Sequence, residues 1–202
     1  QRTVRKAIDL TTPDRPELVF TGLGGDIPLH ELIPPAIEAL AARCVSSVYA
    51  RADGLCRVVR VEDPGDEGIV RSAAPRIGPV PDAILRERLD EAASWIAEKK
   101  NRQGDVVRLA QWCPRPIVEA VRDRGSWPGL HQLVGTVTAP TMRRDGSILD
   151  RPGFDAQTGL LYEPAGSYPP IPEHPSPEAV AAAYRDLLFP FREFPLTMPA
   201  DE

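Results

Sequence analysis

The chain has 202 residues, of which 42% are hydrophobic and 26% charged, and its formal net charge is −5. These values are ordinary for a globular protein with a sizeable core, and the acidic balance argues against a globally basic nucleic-acid binder. No apolar run approaches the ~18 residues that a membrane span needs, and the N-terminus lacks the apolar core of a signal peptide. We therefore expect a cytoplasmic protein that has no membrane partner.

The first third of the chain alternates short β-prone runs with one helical pattern. Ala7–Leu10 and Glu17–Thr21 are predicted strands, and the glycine turn Gly22–Gly25 follows them. That turn lacks the Lys-Ser or Lys-Thr ending of a phosphate-binding loop. Apolar residues at helical spacing predict a helix within Ile27–Arg43, with Pro34-Pro35 at its start or at a kink.

A β-hairpin is the clearest local prediction. The turn Ala52-Asp53-Gly54 separates the β-prone runs Val45–Arg51 and Leu55–Val61, and Asp-Gly is a strong hairpin signal. The hairpin carries Arg51, Arg57 and Arg60. Because alternate strand residues share a face, Arg51 and Arg57 are cofacial if the register continues through the turn.

The middle of the chain is predicted to contain two helices. An acidic loop, Asp63–Gly68, and a short strand, Ile69–Arg71, lead to a predicted helix over Pro81–Lys100 that Asp82 caps. Val106–Ala110 is a short strand and Pro114–Asp123 a short helix with Gly125 just past its end. The apolar stripe of the longer helix consists of Ile84, Leu85, Leu89, Ala92, Ala93 and Ile96.

Short apolar runs split by tight turns fill Leu133–Pro164, and Arg143-Arg144 lies at one predicted loop tip. Gly146 in this turn is free to adopt positive φ. Asp145, Asp150 and Asp155 recur at intervals of five. Such acids can hold magnesium, but their turn context favours hydrogen bonds to the local backbone instead.

The C-terminal part is rich in proline. Residues 165–177 are predicted to be extended, Ser176 to cap a helix through Leu188, and Phe189–Leu196 to form an apolar strip. We therefore predict an α+β fold with short antiparallel hairpins and three to five helices, for which a winged-helix-like arrangement is one option. The predicted domains are residues 1–164 and a linker with a C-terminal helix, residues 165–202.

The chemistry-bearing residues are scattered along the chain. Three cysteines without metal-ligand spacing are expected to be reduced, partly buried thiols. His30, His131 and His174 are isolated, and no cofactor is expected. The tryptophans are expected to fill the core or a groove rather than to stack on bases.

Four stretches resemble the accessory region that precedes the ATPase module in primase–helicase-type replication proteins of phages, prophages and integrative elements. They are VYARADGLCRVV (48–59), WCPRPIVEAVRDRGSWPGL (112–130), LVGTVTAPTMRRDGSILDRPGFDAQTGLLYEP (133–164) and LLFPFREFPL (187–196). The resemblance covers most of residues 45–196 and carries no catalytic signature. It implies a role in DNA replication of a mobile element, and it does not imply ATPase or primase activity for these residues.

Three functions stay open at this point. The first is a non-catalytic accessory domain that positions DNA or connects primase and helicase modules, with phosphate contacts from Arg143 and Arg144, then Arg51, Arg57 and Arg60. The second is an interaction or oligomerisation module that uses the apolar C-terminal strip to contact a downstream module or a second copy. The third is an enzyme built from Asp145, Asp150 and His131.

Overall fold

The computed structural model describes residues 15–21, 28–52, 54–60, 75–172 and 174–193. Within these residues the chain has an α+β fold that combines short strands in small sheets with four α-helices. It divides into two compact units, Gln1–Ser167 and Tyr168–Glu202. The predicted strand Ala7–Leu10, the glycine turn and the predicted acidic loop and strand at residues 63–71 lie outside the described residues.

Most helices begin and end close to the residues that the sequence predicts. The two exceptions are the start of the first helix and the end of the second. The first helix begins before the Pro34-Pro35 pair rather than at it. Those prolines cannot donate to the carbonyl groups of His30 and Glu31, which lie on the exposed side of the helix where water can replace the lost bonds. The helices are α1 (Leu29–Cys44), α2 (Asp82–Ala92), α3 (Arg115–Arg122) and α4 (Pro177–Leu188), followed by a 3-10 turn at Phe189–Phe191.

Eleven strands of the described chain form three three-stranded sheets and one two-stranded hairpin. The first sheet, in the order β1-β5-β6, is β1 (Glu17–Thr21), β5 (Ser94–Lys100) and β6 (Val106–Gln111), with β1 and β5 parallel. The second is the antiparallel β2 (Tyr49–Arg51), β3 (Gly54–Arg60) and β4 (Pro75–Pro79). The third, in the order β10-β11-β7, is β7 (Gly135–Val137), β10 (Gly153–Asp155) and β11 (Leu160–Tyr162), and the hairpin is β8 (Thr141–Met142) with β9 (Ile148–Leu149).

The prediction of one helix over Pro81–Lys100 is wrong in its second half. The helix ends at Ala92, Ala93 is extended, and Ser94–Lys100 is a strand. Four consecutive residues from Ser94 to Ala97 are buried, which a central strand with both faces covered achieves and a surface helix does not. Asp82 does not cap α2, and it accepts a hydrogen bond from Arg122 of α3 instead.

The hairpin prediction is confirmed, but its register differs from the one that we considered. Arg51 pairs with Gly54, so that the loop has two residues. Arg51 then shares a face with Cys56, Val58 and Arg60, while Arg57 points to the opposite face. The expected cofacial pair of Arg51 and Arg57 is therefore wrong, because a register change of one residue reverses the face.

The two faces of this second sheet pack in two apolar clusters. Ala50 and Leu55 face the larger cluster, which is formed mainly by α1, α2, α3, β1 and β5. Tyr49 and Cys56, on the other face, pack with Leu133 and Leu161. The sheet therefore holds the helical layer and the third sheet together within residues 1–167.

In the second unit, Ser176 caps α4 as the sequence predicts, by accepting a hydrogen bond from the Ala179 amide at 3.2 Å. Pro177 occupies the first helical position, where no amide donor is required. None of the residues of α4 is buried.

Candidate functional site

The β8–β9 hairpin carries the Arg-Arg-Asp-Gly turn at its tip, which local hydrogen bonds hold in place. The Asp145 carboxylate accepts hydrogen bonds from the backbone amide and the hydroxyl of Ser147, at 3.0 and 2.7 Å. Gly146 has a φ of +85°, which a residue with a Cβ atom rarely adopts. These hydrogen bonds, with one from the Gln157 amide, lower the pKa of Asp145 to about 2. The expectation that Asp145 serves the local turn is confirmed.

Arg143, predicted to contact phosphate, lies in an internal network. Its guanidinium donates to both carboxylate oxygens of Asp155, at 3.1 and 3.0 Å, and to the Ile148 carbonyl at 2.9 Å. The side chains of Arg143 and Asp155 are only 17% and 14% exposed. The hydrogen bonds from Arg143, then that from the Thr158 hydroxyl, lower the pKa of Asp155. Arg143 therefore ties the β8–β9 hairpin to β10.

Arg144 differs from Arg143 both in exposure and in hydrogen bonding. Its side chain is exposed, and it forms no hydrogen bond or ion pair with a described residue. Arg51, at the tip of the β2–β3 hairpin, is likewise exposed and makes no such contact within the described ranges. These two arginines thus place positive charge on two hairpin tips, with no ion pair to any residue that the structure describes.

The remaining predicted arginines lie elsewhere on β3. Arg60 is bound by the Glu163 carboxylate, with nitrogen–oxygen distances of 3.1 and 3.2 Å. Arg57 is half-buried on the opposite face of the strand, and its Nε atom is buried without a hydrogen-bond partner among the described residues. The five candidate arginines are therefore divided among two tips, one ion pair, one internal network and one half-buried position.

Arg57 lines a cavity of about 440 Å³ within the first unit. The cavity lies near the start of β2. Strand β3 pairs with β2 only as far as Cys56, and the next two residues of β3, Arg57 and Val58, line the cavity. The lining residues come from the α1–β2 turn, β3, α2 and the third sheet, and they are Ser46, Ser47, Tyr49, Arg57, Val58, Ile84, Arg88, His131, Gly153, Phe154, Leu161 and Glu163.

One side of this cavity is aromatic. The rings of His131 and Phe154 stack, with centroids 4.1 Å apart and planes inclined by 10°, and Tyr49 lies 6.0 Å from Phe154. The Tyr49 hydroxyl donates to the Ser46 carbonyl at 3.0 Å. Burial, then the Glu163 carboxylate, raises the pKa of Tyr49, which therefore stays a neutral phenol near pH 7.

The predicted acid–histidine constellation is not brought together at the cavity. His131 lines the cavity, whereas Asp145 and Asp150 are not among its lining residues. The part of the chain that the structure describes holds no group of three or more His, Cys, Asp or Glu side chains placed to hold a metal ion. In the same residues, no helix has the length and apolar character required to traverse a bilayer.

The cysteines and tryptophans follow the expectations with one exception. All three cysteines are buried thiols, and burial raises the pKa of Cys113 and of Cys44. Trp95 and Trp127 lie in the core, where their indole N–H groups donate to the Leu89 and Val121 carbonyls. Trp112, expected to be in the core or a groove, is 57% exposed, because it directly follows the exposed strand β6.

Sequence reasoning did not find the cavity. It treated Arg57 only as a surface arginine, and it gave no role to Phe154 or Glu163. The lining residues come from separate segments, and no local spacing marks them as neighbours. The alternation of Tyr49, Cys56 and Val58 with Ala50 and Leu55 is the one signal that would have shown a sheet with two covered faces.

Comparison of the chain with protein-family models, with curated proteins and with solved structures finds no match.

Proposed function

We propose that this chain is a non-catalytic accessory domain of a mobile-element DNA replication protein of the primase–helicase type, acting in the cytoplasm. In this proposal the domain positions DNA by contacting backbone phosphates through its hairpin tips. The resemblance is strongest in residues 133–164, which include the β8–β9 tip. The observation that carries the proposal is Arg144, an exposed arginine without a partner among the described residues, on a tip that Asp145 and Arg143 hold in place.

The proposal assigns different roles to the two adjacent arginines. Arg144 contacts phosphate, because its guanidinium has no competing carboxylate in the described chain. Arg143 positions the tip, because its donors are engaged by Asp155 and by the Ile148 carbonyl. Arg51 is a second phosphate contact on the other tip. The net charge of −5 then limits binding to these local basic points.

Fluorescence anisotropy with labelled single-stranded and duplex oligonucleotides tests this function. Binding should weaken as salt rises from about 50 to 200 mM. Each arginine that contacts a phosphate releases counterions from the DNA, and a higher salt concentration makes this release less favourable. The Arg144→Ala variant should reduce the slope of log affinity against log salt by about 0.7 to 0.9, the contribution of one phosphate contact. Arg51→Ala should have a similar effect.

Arg102→Ala is the matched control, because Arg102 is also exposed in a strand-connecting turn, between β5 and β6, without a described partner. This variant should leave the slope unchanged. If wild-type protein does not bind at low salt, or if Arg102→Ala and Arg144→Ala reduce the slope equally, the proposed DNA contact is wrong.

A second function, protein interaction or oligomerisation, is favoured by α4. Three large side chains on one side of this helix are 52–67% exposed, namely Val180, Tyr184 and Leu187. Phe189, the first residue of the predicted strip Phe189–Leu196, is 70% exposed, and residues 194–196 of that strip lie outside the described residues. A contiguous apolar strip of this kind is typical of an interaction surface. A downstream module or a second copy of the chain would then cover it.

Light scattering over a range of protein concentrations tests the second function. Mass that rises with concentration in wild-type protein should fall to the monomer value in a Tyr184→Ser/Leu187→Ser variant. Asp186→Ser, on a different side of the same helix, should behave like wild type. If wild-type protein has the monomer mass at all concentrations, self-association is excluded. The interaction surface of α4 would then have to bind a different protein or module.

A further inference from the structure

We propose that the cavity near the start of β2 binds a small organic monocarboxylate with an apolar body, and that Arg57 is the residue that contacts its carboxylate. This site is separate from the hairpin tips of the proposed function. It is built entirely from residues of the first unit, and its test does not depend on DNA.

Arg57 has no counter-charge among the described residues. Its Nε atom is buried without a hydrogen-bond partner, and the guanidinium makes no ion pair with any described residue. A partly desolvated cation without a counter-charge is costly, and a bound anion removes that cost. Arginine is also suited to a carboxylate, because its planar N–H groups match the two oxygens.

The other charged groups around the cavity are already paired. Arg88 binds Glu91 and lies 3.4 Å from Glu87. Glu163 is held by Arg60, with an oxygen–nitrogen distance of 3.1 Å. Among the described residues that line the cavity, Arg57 is therefore the one charged side chain without a counter-charge. A single negative charge matches it, whereas a phosphate monoester carries nearly two at neutral pH.

The remaining walls define the body of the ligand. Val58, Ile84 and Leu161 supply aliphatic surface, and Phe154 supplies an aromatic ring whose orientation the stacked His131 fixes. A volume of about 440 Å³ lies in the range of small-molecule sites, which are mostly apolar with a few polar anchors. A ligand with an apolar body and one carboxylate would pack against these apolar side chains and bind Arg57 at the same time.

Phenylacetate is a suitable probe, because it joins one carboxylate to an aromatic body. Titration into the wild-type chain, followed by calorimetry and by amide NMR shifts, should show saturable binding with shifts concentrated around Ser47, Arg57 and Phe154. Phenylacetamide, which has the same shape without the charge, should bind at least about tenfold more weakly, as expected for a lost charge-assisted hydrogen bond. Benzylphosphonate, with up to two negative charges, should also bind more weakly.

Arg57→Ala should weaken phenylacetate binding about tenfold or more. Arg76→Ala is the matched control: Arg76 lies on the neighbouring strand and on the same sheet face as Arg57, but it is exposed and does not line the cavity. It should bind like wild type. Ile84→Phe should also weaken binding by filling the cavity, and this variant keeps the test valid if Arg57→Ala does not fold.

Four results would overturn the proposal. They are the absence of saturable phenylacetate binding to wild type, equal affinity for phenylacetamide, equal losses in the Arg57 and Arg76 variants, and tighter binding of benzylphosphonate. The last result would assign the cavity to a phosphate or phosphonate ligand instead.

Discussion

Arg143 and Arg144 are adjacent in the chain, yet their guanidinium groups have different surroundings. Arg143 is mostly buried and bidentate to Asp155, while Arg144 is exposed. A bidentate arginine–carboxylate pair fixes geometry as well as charge. Arg143 therefore contributes to folding, and Arg144 is available to a ligand. The sequence Arg-Arg shows two equal cations, because the carboxylate that distinguishes them lies twelve residues further on.

Replacement of Arg143 should destabilise the protein, while replacement of Arg144 should not. Arg143→Ala leaves the poorly exposed Asp155 carboxylate without its counter-charge, so we expect the melting temperature to fall by several degrees. Arg144→Ala should melt like wild type. In a double-mutant cycle, Arg143→Ala/Asp155→Ala should lose less than the sum of the single losses. Additive losses would show that the pair does not act as a unit.

Asp145 gives the hairpin tip a defined pH dependence. Its pKa is about 2 in the folded chain, below the ordinary value of 3.8, because it accepts three hydrogen bonds. A carboxyl group with a lowered pKa stabilises the fold above its unfolded pKa, and this contribution disappears as the pH falls through the folded pKa. The free energy of unfolding of wild type should therefore exceed that of Asp145→Asn at pH 6.

The difference between the Asp145→Asn variant and wild type should decrease below about pH 4 and be mostly lost by about pH 2. Urea unfolding of both proteins between pH 2 and pH 6 measures it. Asp150→Asn is the control, because Asp150 is exposed and makes no hydrogen bond with a described residue, so its curve should parallel that of wild type. A constant difference for Asp145→Asn across this range would contradict the assignment.

At the scale of elements, two tryptophans close the C-terminal ends of two helices. The Trp95 indole donates to the Leu89 carbonyl near the end of α2, and Trp127 donates to Val121 near the end of α3. Each tryptophan lies six residues beyond the carbonyl that it binds. Carbonyl groups in the last turn of a helix lack some of their intrahelical partners. The Val121 carbonyl accepts from Trp127, whereas the Leu89 carbonyl accepts from Trp95 in addition to the Ala93 amide, so both indoles help to fix where the chain leaves its helix.

Trp95→Phe should lower the free energy of unfolding by about 1–3 kcal/mol, because it removes one of the two hydrogen bonds to the Leu89 carbonyl and leaves a small cavity in the core. Trp112→Phe is the matched control, since Trp112 is exposed, and it should change stability by less than about 0.5 kcal/mol. Urea unfolding followed by far-UV circular dichroism measures both variants. Equal effects would show that the indole of Trp95 has no role at the end of α2.

The elements that the sequence predicted well are those with local signals. The hairpin at Asp53-Gly54, the end of α3 near Gly125 and the Ser176 cap of α4 each depend on a few adjacent residues. Strand β5 was missed because Ala93 and Ile96 continue the helical spacing of α2. Its strand conformation depends on parallel pairing with β1, more than 70 residues earlier, and such a partner leaves no local pattern.

The candidate site follows the same division. Local turn chemistry predicted the Arg143–Gly146 tip and the role of Asp145. The pairing of Arg143, the face of Arg57 and the cavity depend on contacts between distant segments or on a register that changes by one residue. For this reason the sequence could name five candidate arginines but could not separate their roles.

At the scale of the whole molecule, the apolar core belongs to the first unit. Every buried residue of the described chain precedes Ser167, and both apolar clusters lie between Leu18 and Leu161. The second unit, Tyr168–Glu202, contributes none of them. Burial of apolar area is the main favourable contribution to folding. The first unit therefore has the requirements of an autonomous folding domain.

A chain that ends at Ser167 should consequently keep its fold. We expect cooperative thermal unfolding with a melting temperature within a few degrees of the full chain, because none of the described core residues lies beyond Ser167. Tryptophan fluorescence follows this transition in both proteins, since Trp95, Trp112 and Trp127 all precede the truncation. Truncation after Thr158 is the matched control: it removes β11 with the buried Leu161 and Tyr162 and should abolish the transition. A non-cooperative transition in the chain that ends at Ser167 would instead show that the first unit needs residues 168–202 to fold.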